Sequence, residues 1–157
     1  VLDRLREEVP GIALRTTFLV GFPGETEADF AELERFVEGF RFDRLGAFAY
    51  SPEPGTHGYG LPGRVDPALA EARRARLLEL QAGIVREANE ARIGRTLPIL
   101  VDEANGRDFV ARTERDAPEV DCAALGRSKK PLESGSLVEA RVVGVSEDGY
   151  DLRVEVL

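Results

Sequence analysis

The spacing of apolar residues changes once along the chain, near Gly94. Before that point, residues 12–20 are mostly apolar and β-branched or aromatic, which predicts a strand that is covered on both faces. Apolar residues at helical spacing then predict a helix over residues 26–39, and another apolar run predicts a strand over residues 44–50. This alternation of strand and helix indicates an α/β arrangement.

A long helix is predicted next, after a loop rich in glycine and proline. Asp66 is a favourable N-cap residue, Pro67 suits the first helical position, and Gly94 lies where a C-cap would end the helix. The predicted buried stripe of this helix consists of Leu69, Leu77, Leu80, Ile84, Ala88 and Ala91. Its arginines are interpreted as a solvated face whose stems can pack on neighbours, namely Arg73, Arg74, Arg76 and Arg86.

Beyond Gly94 the period of apolar residues becomes two, which is typical of half-buried strands. Five short strands are predicted, over residues 97–103, 108–113, 119–124, 137–145 and 150–157. Asn-Gly, Ser-Gly and Asp-Gly pairs mark turns between them. Five antiparallel strands in about sixty residues suit a small closed barrel of the oligonucleotide-binding type. We therefore predict two domains, residues 1–94 and residues 95–157.

The most informative local motif is the segment RTTFLVGFPGET, residues 15–26. Gly21 and Gly24 let the backbone turn sharply after the strand and let a ligand approach without a Cβ in the way. Thr26 with Asp29 three residues later predicts a capping box at the start of the helix. Such a turn is where α/β proteins usually bind small ligands, but it is equally compatible with a tight turn that binds nothing.

Composition excludes several classes of protein. No apolar run approaches the roughly 18 residues of a membrane span, and no signal-peptide pattern is present. The single cysteine, Cys122, excludes an internal disulfide and fits a reducing compartment. We therefore expect an ordered, cytoplasmic protein with no membrane partner.

Three ordered motifs resemble the radical S-adenosylmethionine methylthiotransferase family. The first is the GFPGET turn after its strand, the second is RFDRLGAFAYSPEPGT at residues 41–56, and the third is ARTERDAPEVD at residues 111–121. The third is similar to the signature of the RimO-type branch, which modifies an aspartate of small-subunit ribosomal protein twelve. The resemblance implies the last βα units of a partial (βα) barrel, followed by an accessory barrel called the TRAM domain.

The resemblance also implies cofactors that this chain cannot hold by itself. The family uses S-adenosylmethionine and two 4Fe-4S clusters, each cluster held by three cysteines, whereas this chain has one cysteine. It has no methionine and opens inside a predicted helix at residues 2–8. We therefore expect the C-terminal portion of a longer enzyme, which carries no metal ligand or catalytic residue of its own and is inactive alone.

Eight residues are candidates for the cofactor pocket by resemblance: Gly21, Phe22, Pro23, Gly24, Glu25, Arg15, Thr17 and Ser51. Each of the polar ones has an alternative. Glu25 is equally plausible as a favourable charge at a helix N-terminus. Arg15 and Thr17 share one side of their strand, where they would contact cofactor or substrate or form a structural ion pair. Ser51 follows the second strand, where barrel strands present functional groups, although Ser-Pro is also ordinary turn chemistry.

Two function classes compete for the second domain. In the first, the barrel docks a protein substrate, whose aspartate β-carbon loses a hydrogen to a radical derived from S-adenosylmethionine and receives a methylthio group. In the second, it holds a transfer RNA whose adenosine is methylthiolated, as in sister enzymes. Both are implied by the resemblance.

Charge favours the protein substrate. Residues 96–157 contain eight Lys or Arg and thirteen Asp or Glu, a net charge of −5, which suits a basic small-subunit ribosomal protein better than RNA. The predicted docking residues are Arg112, Asp116, Glu119 and Asp121. The alternative is a local basic patch formed by Arg112, Arg115, Arg127, Lys129 and Lys130. We expect a monomer.

Overall fold

The computed structural model describes residues 1–118 and 120–157, which form three α-helices and seven strands. The helices are α1 (Leu2–Glu8), α2 (Glu27–Phe40) and α3 (Pro67–Glu90). The strands are β1 (Arg15–Val20), β2 (Arg44–Ala49), β3 (Thr96–Asn105), β4 (Asp108–Thr113), β5 (Ala124–Arg127), β6 (Leu137–Val145) and β7 (Leu152–Val156). A short 3-10 helix covers His57–Gly60. No helix in the described ranges is long and apolar enough to cross a bilayer.

The chain divides into two compact units. Ala13–Ile84 forms the first, called here the α/β unit, and Val1–Ile12 with Val85–Leu157 forms the second, called the barrel unit. In the α/β unit, β1 and β2 pair in parallel, from Arg15 opposite Arg44 to Val20 opposite Ala49. The core of this unit consists of Val20, Phe30, Val37, Ala47, Leu77 and Ile84. Strand, crossover helix and parallel strand confirm the predicted α/β arrangement.

Both predicted helix starts in this unit are confirmed. The Thr26 hydroxyl accepts the Asp29 N–H at 3.2 Å, and the Asp29 carboxylate accepts the Thr26 N–H at 2.8 Å, so the capping box is complete. At the start of α3, the Asp66 carboxylate accepts two backbone N–H groups, that of Ala68 at 2.9 Å and that of Leu69 at 3.3 Å. The first turns of both helices are therefore set by local sequence.

The buried face of α3 differs from the predicted stripe. The residues that it buries are Ala70, Arg73, Leu77, Gln81, Ile84, Val85 and Asn89, whereas Leu69 is 43% exposed. The three polar members each have a partner, such as the Phe42 carbonyl, which accepts from the Gln81 amide at 2.9 Å. The prediction that Arg73 lies on a solvated face is wrong, because its side chain is buried and its guanidinium pairs with the largely buried Glu25.

The helix also ends earlier than predicted, at Glu90 instead of Gly94. Gly94 does adopt the left-handed backbone that favours glycine, with a φ of +87°. Its N–H, however, donates to the Val142 carbonyl at 2.8 Å, so it begins the pairing of the barrel instead of capping the helix.

The barrel unit contains a closed five-stranded barrel in the order β3-β4-β5-β7-β6. Its core consists of Ile99, Val101, Phe109, Ala111, Ala124, Ala140, Val142, Leu152 and Val154. Four of the five pairings are antiparallel, but β5 and β7 run parallel, from Ala124 opposite Leu152 to Gly126 opposite Val154. The predicted fold class is confirmed, with one parallel pair where an entirely antiparallel barrel was expected.

The third barrel strand lies later than predicted. Residues 119–124 were expected to form it, but β5 covers Ala124–Arg127. Before it, the Asp121 carboxylate accepts the Ala117 N–H at 2.7 Å, and the Asp121 N–H donates to the Ala117 carbonyl at 3.2 Å. These bonds close a turn that contains Pro118, which has no N–H to offer a strand ladder. Glu119 lies outside the described residues.

Candidate functional site

The turn after β1 is shaped by close packing against α3. Gly21 has a φ of +78°, and a Cβ built on it would lie 2.3 Å from the Cβ of Ala70. Gly24 has a φ of +90°, and no atom lies within 4 Å of its ideal Cβ position. Its N–H donates to the Gly63 carbonyl at 2.8 Å. Gly21 is therefore required by helix packing, whereas Gly24 leaves backbone open on the outer side of the turn.

Glu25 closes this turn from inside. Its carboxylate accepts the Gly21 N–H at 3.0 Å and the Arg73 guanidinium at 2.7 Å. The side chain of Arg73 is only 3% exposed and that of Glu25 15%, so the pair is largely removed from water. Arg73 also donates to Glu27 at 3.1 Å and lies over the Phe30 ring at 5.4 Å. The contacts of Glu25 are thus those of a structural ion pair that fixes the turn.

An aromatic pair lies beside the turn. The rings of Phe22 and Tyr50 meet edge to face with centroids 5.0 Å apart, and the residue Phe22 is 39% exposed. The Tyr50 hydroxyl is buried and has no hydrogen-bond partner among the described residues. A Cβ on Gly58 would lie 2.5 Å from that hydroxyl, so the loop backbone passes close to it. An unpartnered buried hydroxyl next to an accessible ring suits a ligand with an aromatic portion and a polar group.

The remaining candidates of this unit lie at the same strands. Arg15 and Thr17 are exposed along β1, and Thr17 pairs with Gly46 of β2. Ser51 is exposed and comes directly after Tyr50, whose N–H donates to the Val20 carbonyl at 2.8 Å. Pro23 is half-buried in the turn. Ser51 and the glycine turn therefore both follow the carboxyl ends of β1 and β2, which is the edge where parallel sheets bind ligands.

Carboxyl groups at the start of α2 have shifted pKa values. Hydrogen bonds from Thr26 hold the pKa of Asp29 below its ordinary value, the hydroxyl contact being the larger cause. The Arg73 guanidinium lowers the pKa of Glu27 through a hydrogen bond, and Arg76 adds to this. Because the folded-state pKa of these carboxyl groups is lowered, their charged forms stabilise the folded state at pH values above the ordinary carboxyl pKa. This stabilisation is lost as the pH falls through the lowered pKa.

We expect the substitution Thr26→Ala to lower the free energy of unfolding of the α/β unit by about 1 kcal/mol at neutral pH, because the N-cap hydroxyl is lost. It should also raise the pKa of Asp29 toward its ordinary value, which an NMR titration of the carboxyl carbon measures. The stability difference between variant and wild type should narrow as the pH falls below that pKa. An Asp29 pKa unchanged by the substitution would contradict the assignment of the Thr26 hydroxyl as the main cause.

An acidic groove of about 660 Å³ lies on the barrel unit. Its lining residues are Asp102, Glu103, Val110, Ala111, Arg112, Ala117, Pro118, Asp121, Cys122, Ala123, Tyr150 and Asp151. Four of these carry a carboxylate and one a guanidinium, which leaves the groove with an excess of negative charge. A groove of that sign attracts basic partners and repels phosphate.

The structure brings two of the four predicted docking residues to this groove. Arg112 and Asp121 line it, and Arg112 forms an ion pair with Asp102 on the neighbouring strand. Asp116 does not line it, since its carboxylate accepts the hydroxyl of Thr113 at 2.5 Å and both residues are buried. Glu119 is outside the described residues, so its predicted role stays a prediction.

Sequence reasoning missed Glu103, Tyr150 and Asp151 as members of the groove. The Asp151 carboxylate accepts the Ala123 N–H at 2.8 Å and thereby holds the segment before β5. Glu103 is exposed and lies at a β-bulge in β3, where the register with β4 shifts by one residue. A bulge inverts which side chains face outward, and alternation alone therefore could not place Glu103. Among the described residues, no cluster of His, Cys, Asp and Glu side chains is arranged to hold a metal ion.

Comparison with known proteins links both parts of the chain to one family. The TRAM domain family matches residues 93–157. A ribosomal protein uS12 methylthiotransferase RimO of Desulforudis audaxviator is 42% identical over 153 residues, which cover 98% of this chain and 34% of the relative. The RimO of Prochlorococcus marinus is 45% identical, covering 97% and 33%, and that of Parabacteroides distasonis is 42% identical, covering 100% and 36%.

The solved structures offer less. The apo form of Mycoplasma genitalium RNase R is 10% identical, with a TM-score of 0.37 over 64% of this chain and 19% of that one, which is too low to carry an argument. The chain spans about a third of the length of the curated relatives that it matches. Together with the TRAM barrel, these matches show that the chain belongs to the RimO-type methylthiotransferase family and corresponds to the C-terminal portion of its members.

Proposed function

We propose that this chain acts as the C-terminal portion of a cytoplasmic enzyme that methylthiolates an aspartate of ribosomal protein uS12, and that its barrel docks the protein substrate. The observation that carries the docking role is the acidic groove, whose lining includes four carboxylates and one arginine. Ribosomal proteins are generally basic, and opposite charge both steers such a partner and fixes its orientation. The name that the relatives share supports the choice of uS12.

Within the groove, the carboxylates have different tasks. Asp121 and Asp151 accept backbone N–H groups, and Asp102 is paired with Arg112, so these hold the walls. Glu103 is exposed and no hydrogen bond to its side chain is found among the described residues. An exposed carboxylate with no internal partner can bind an arginine or lysine of a docking protein without breaking an existing hydrogen bond or ion pair. We therefore place Glu103 at the contact with uS12.

The α/β unit supplies one side of a pocket for S-adenosylmethionine in this proposal. Its residues fit such a ligand, because Phe22 offers an accessible ring, Tyr50 a buried hydroxyl without a partner, and Gly24 an open backbone. When bound, the cofactor and the family's 4Fe-4S clusters supply the radical chemistry and the methylthio group. The role of Glu25 and Arg73 is to hold the turn that carries Phe22 and Gly24 in place.

Charge reversal in the groove tests the docking role. We expect Glu103→Lys to weaken binding of uS12 to this chain by about fivefold or more, because an attractive contact becomes repulsive. The matched control is Glu139→Lys, an exposed position on β6 outside the groove with the same change in net charge. Fluorescence anisotropy of labelled uS12 at several salt concentrations measures both. Equal weakening by the two variants would show that net charge alone matters and would remove the groove from the interface.

A further inference from the structure

A second groove on the barrel unit carries the opposite charge to the acidic groove. It encloses about 590 Å³, and four cationic side chains line it together with one carboxylate, that of Glu155. The cations are Arg107, Arg127, Lys129 and Arg141, and all four residues are exposed. Because residues 96–157 as a whole carry a net charge of −5, this concentration of cations marks a surface that attracts an anionic partner.

The basic patch predicted from the sequence coincides with this groove only in part. Arg127 and Lys129 line it, whereas Arg112 lines the acidic groove. Arg107 comes from the turn between β3 and β4, and Arg141 comes from β6. Spacing along the chain therefore does not reveal the site.

The groove lies where one strand ladder of the barrel ends. The pairing of β5 with β7 extends to Gly126 opposite Val154, whereas β7 continues to Val156. On its other side, the Leu157 N–H donates to the Glu139 carbonyl of β6 at 3.1 Å. Bonded and non-bonded pairs alternate along antiparallel strands, so the N–H and C=O of Val156 point away from β6 and toward the groove that Val156 lines. This end of β7 is therefore an open strand edge.

Backbone contacts fix the cations beside this edge. The Ser128 N–H donates to the Arg107 carbonyl at 2.8 Å, and the buried Ser128 hydroxyl donates to the Lys130 carbonyl. Arg127 and Lys129 lie on either side of Ser128, so both are held next to the β3–β4 turn that carries Arg107. The positive charge of the groove thus has a defined position along β7.

The two faces of the open edge differ in chemistry. Val156 is half-buried and packs against the barrel core, whereas its neighbours Glu155 and Leu157 are exposed on the outer face. Arg141 lies opposite Glu155 in the register of β6 and β7 and is exposed as well. A strand added to this edge would place alternate side chains on the apolar side of Val156 and on the outer, cationic side.

The cations of the groove have only weak partners within the chain. Arg127 lies 3.8 Å from Asp108, and the two side chains are 71% and 69% exposed. Exposed ion pairs of this kind contribute little to stability and are readily exchanged for another carboxylate. With Asp108 and Glu155 both counted, the cations remain in excess.

We propose that this groove binds an extended segment of a partner protein in which acidic and apolar residues alternate, and that this segment adds a strand to the edge of β7. Charge complementarity selects the acidic residues, and an open edge selects a polypeptide backbone. A nucleic acid fits less well, because no aromatic residue among the described ones lines the groove for a base to stack on. The partner is distinct from uS12, which the proposed function places at the acidic groove.

The test uses the whole chain and a labelled, capped peptide of about six alternating glutamate and valine residues, the length of an ordinary strand. Fluorescence anisotropy should show saturable binding that weakens as salt rises. A peptide of the same composition with its glutamates grouped at one end keeps the charge but loses the alternation. It should bind at least about fivefold more weakly, as should an alternating peptide whose central amides are methylated and cannot pair with β7.

Charge reversal locates the peptide on the chain. The variant Arg127→Glu with Lys129→Glu should lose at least about tenfold in affinity, because two attractive contacts become repulsive. The matched control, Arg35→Glu with Arg95→Glu, makes the same change in charge at exposed positions outside the groove and should lose less than about threefold. Glu103→Lys should leave the peptide affinity undiminished, so a failure here is distinct from a failure of uS12 docking.

Amide hydrogen exchange of the unmodified chain provides a readout that needs no variant. Saturating peptide should slow exchange of the Val156 amide at least about fivefold, since its N–H gains a partner. The Leu157 amide, already bonded to the Glu139 carbonyl, should change less.

Four results would overturn the proposal. They are no binding of the alternating peptide at low salt, equal losses in the two double variants, equal affinity for the grouped peptide, or unchanged exchange at Val156 under saturation. Tighter binding of an oligouridylate with the same number of charges would assign the groove to nucleic acid instead.

Discussion

Replacing Arg73 by methionine is expected to lower the free energy of unfolding of the α/β unit by about 3 kcal/mol or more. The substitution keeps much of the side-chain volume but leaves the Glu25 carboxylate, 15% exposed, without its cationic partner. An uncompensated charge in such a site is costly because it has lost its hydration. Urea denaturation measures this free energy of unfolding, with the loss of helix followed by far-UV circular dichroism.

The neighbouring position provides the control. Arg74 pairs with Glu71 on the surface of α3, where such a pair adds little, so Arg74→Ala should leave the unfolding free energy nearly unchanged. Combining Arg73→Met with Glu25→Gln removes both charges while the glutamine oxygen still accepts the Gly21 N–H. The double variant should therefore recover much of the lost stability. If Arg73→Met is as stable as Arg74→Ala, the pair does not hold the turn.

Replacing Gly21 by alanine is expected to lower the free energy of unfolding of the α/β unit by about 3 kcal/mol. Two terms add, the left-handed backbone at a φ of +78° and a Cβ placed 2.3 Å from that of Ala70. Gly24→Ala carries only the first term, because nothing lies within 4 Å of its Cβ position, and it should cost about 1 kcal/mol. Thermal and urea unfolding of the two variants measure the difference between them.

A second-site substitution isolates the packing term. Ala70→Gly alone should lower the free energy of unfolding by about 1 kcal/mol, because glycine has a low helix propensity. In the Gly21→Ala background the same change should instead be stabilising, since it removes the atom that the new methyl meets. Additive costs for the two substitutions would show that the turn and α3 do not pack as described.

Local sequence rules predicted the elements whose causes are local. The capping box of Thr26 and Asp29 and the N-cap of Asp66 were readable because each bond spans three residues or fewer. The period-two pattern located four of the barrel strands within about two residues. The prediction failed at the third barrel strand. Asp121 accepts the Ala117 N–H and closes a turn where that strand was expected, so the strand begins later in the chain.

The candidate sites were harder to predict from the sequence than the fold, because they depend on contacts between residues that are distant in sequence. Arg73 read as a surface arginine until the structure placed Glu25, 48 residues earlier, beside it. Gly21 was expected to leave room for a ligand, yet the room is filled by Ala70. Glu103 was hidden by a β-bulge. In each case the deciding neighbour lies on another element, which spacing along one element cannot reveal.

The central proposal is that this chain is part of an enzyme that modifies uS12, and a chimaera tests it most directly. The C-terminal portion of one RimO relative is exchanged for this chain, and the chimaera is expressed in a bacterial strain without its own uS12 methylthiotransferase. The intact mass of uS12 from that strain should show one methylthio group in place of a hydrogen, and the Glu103→Lys chimaera should modify a smaller fraction. Unmodified uS12 together with newly methylthiolated adenosine in transfer RNA would contradict the account.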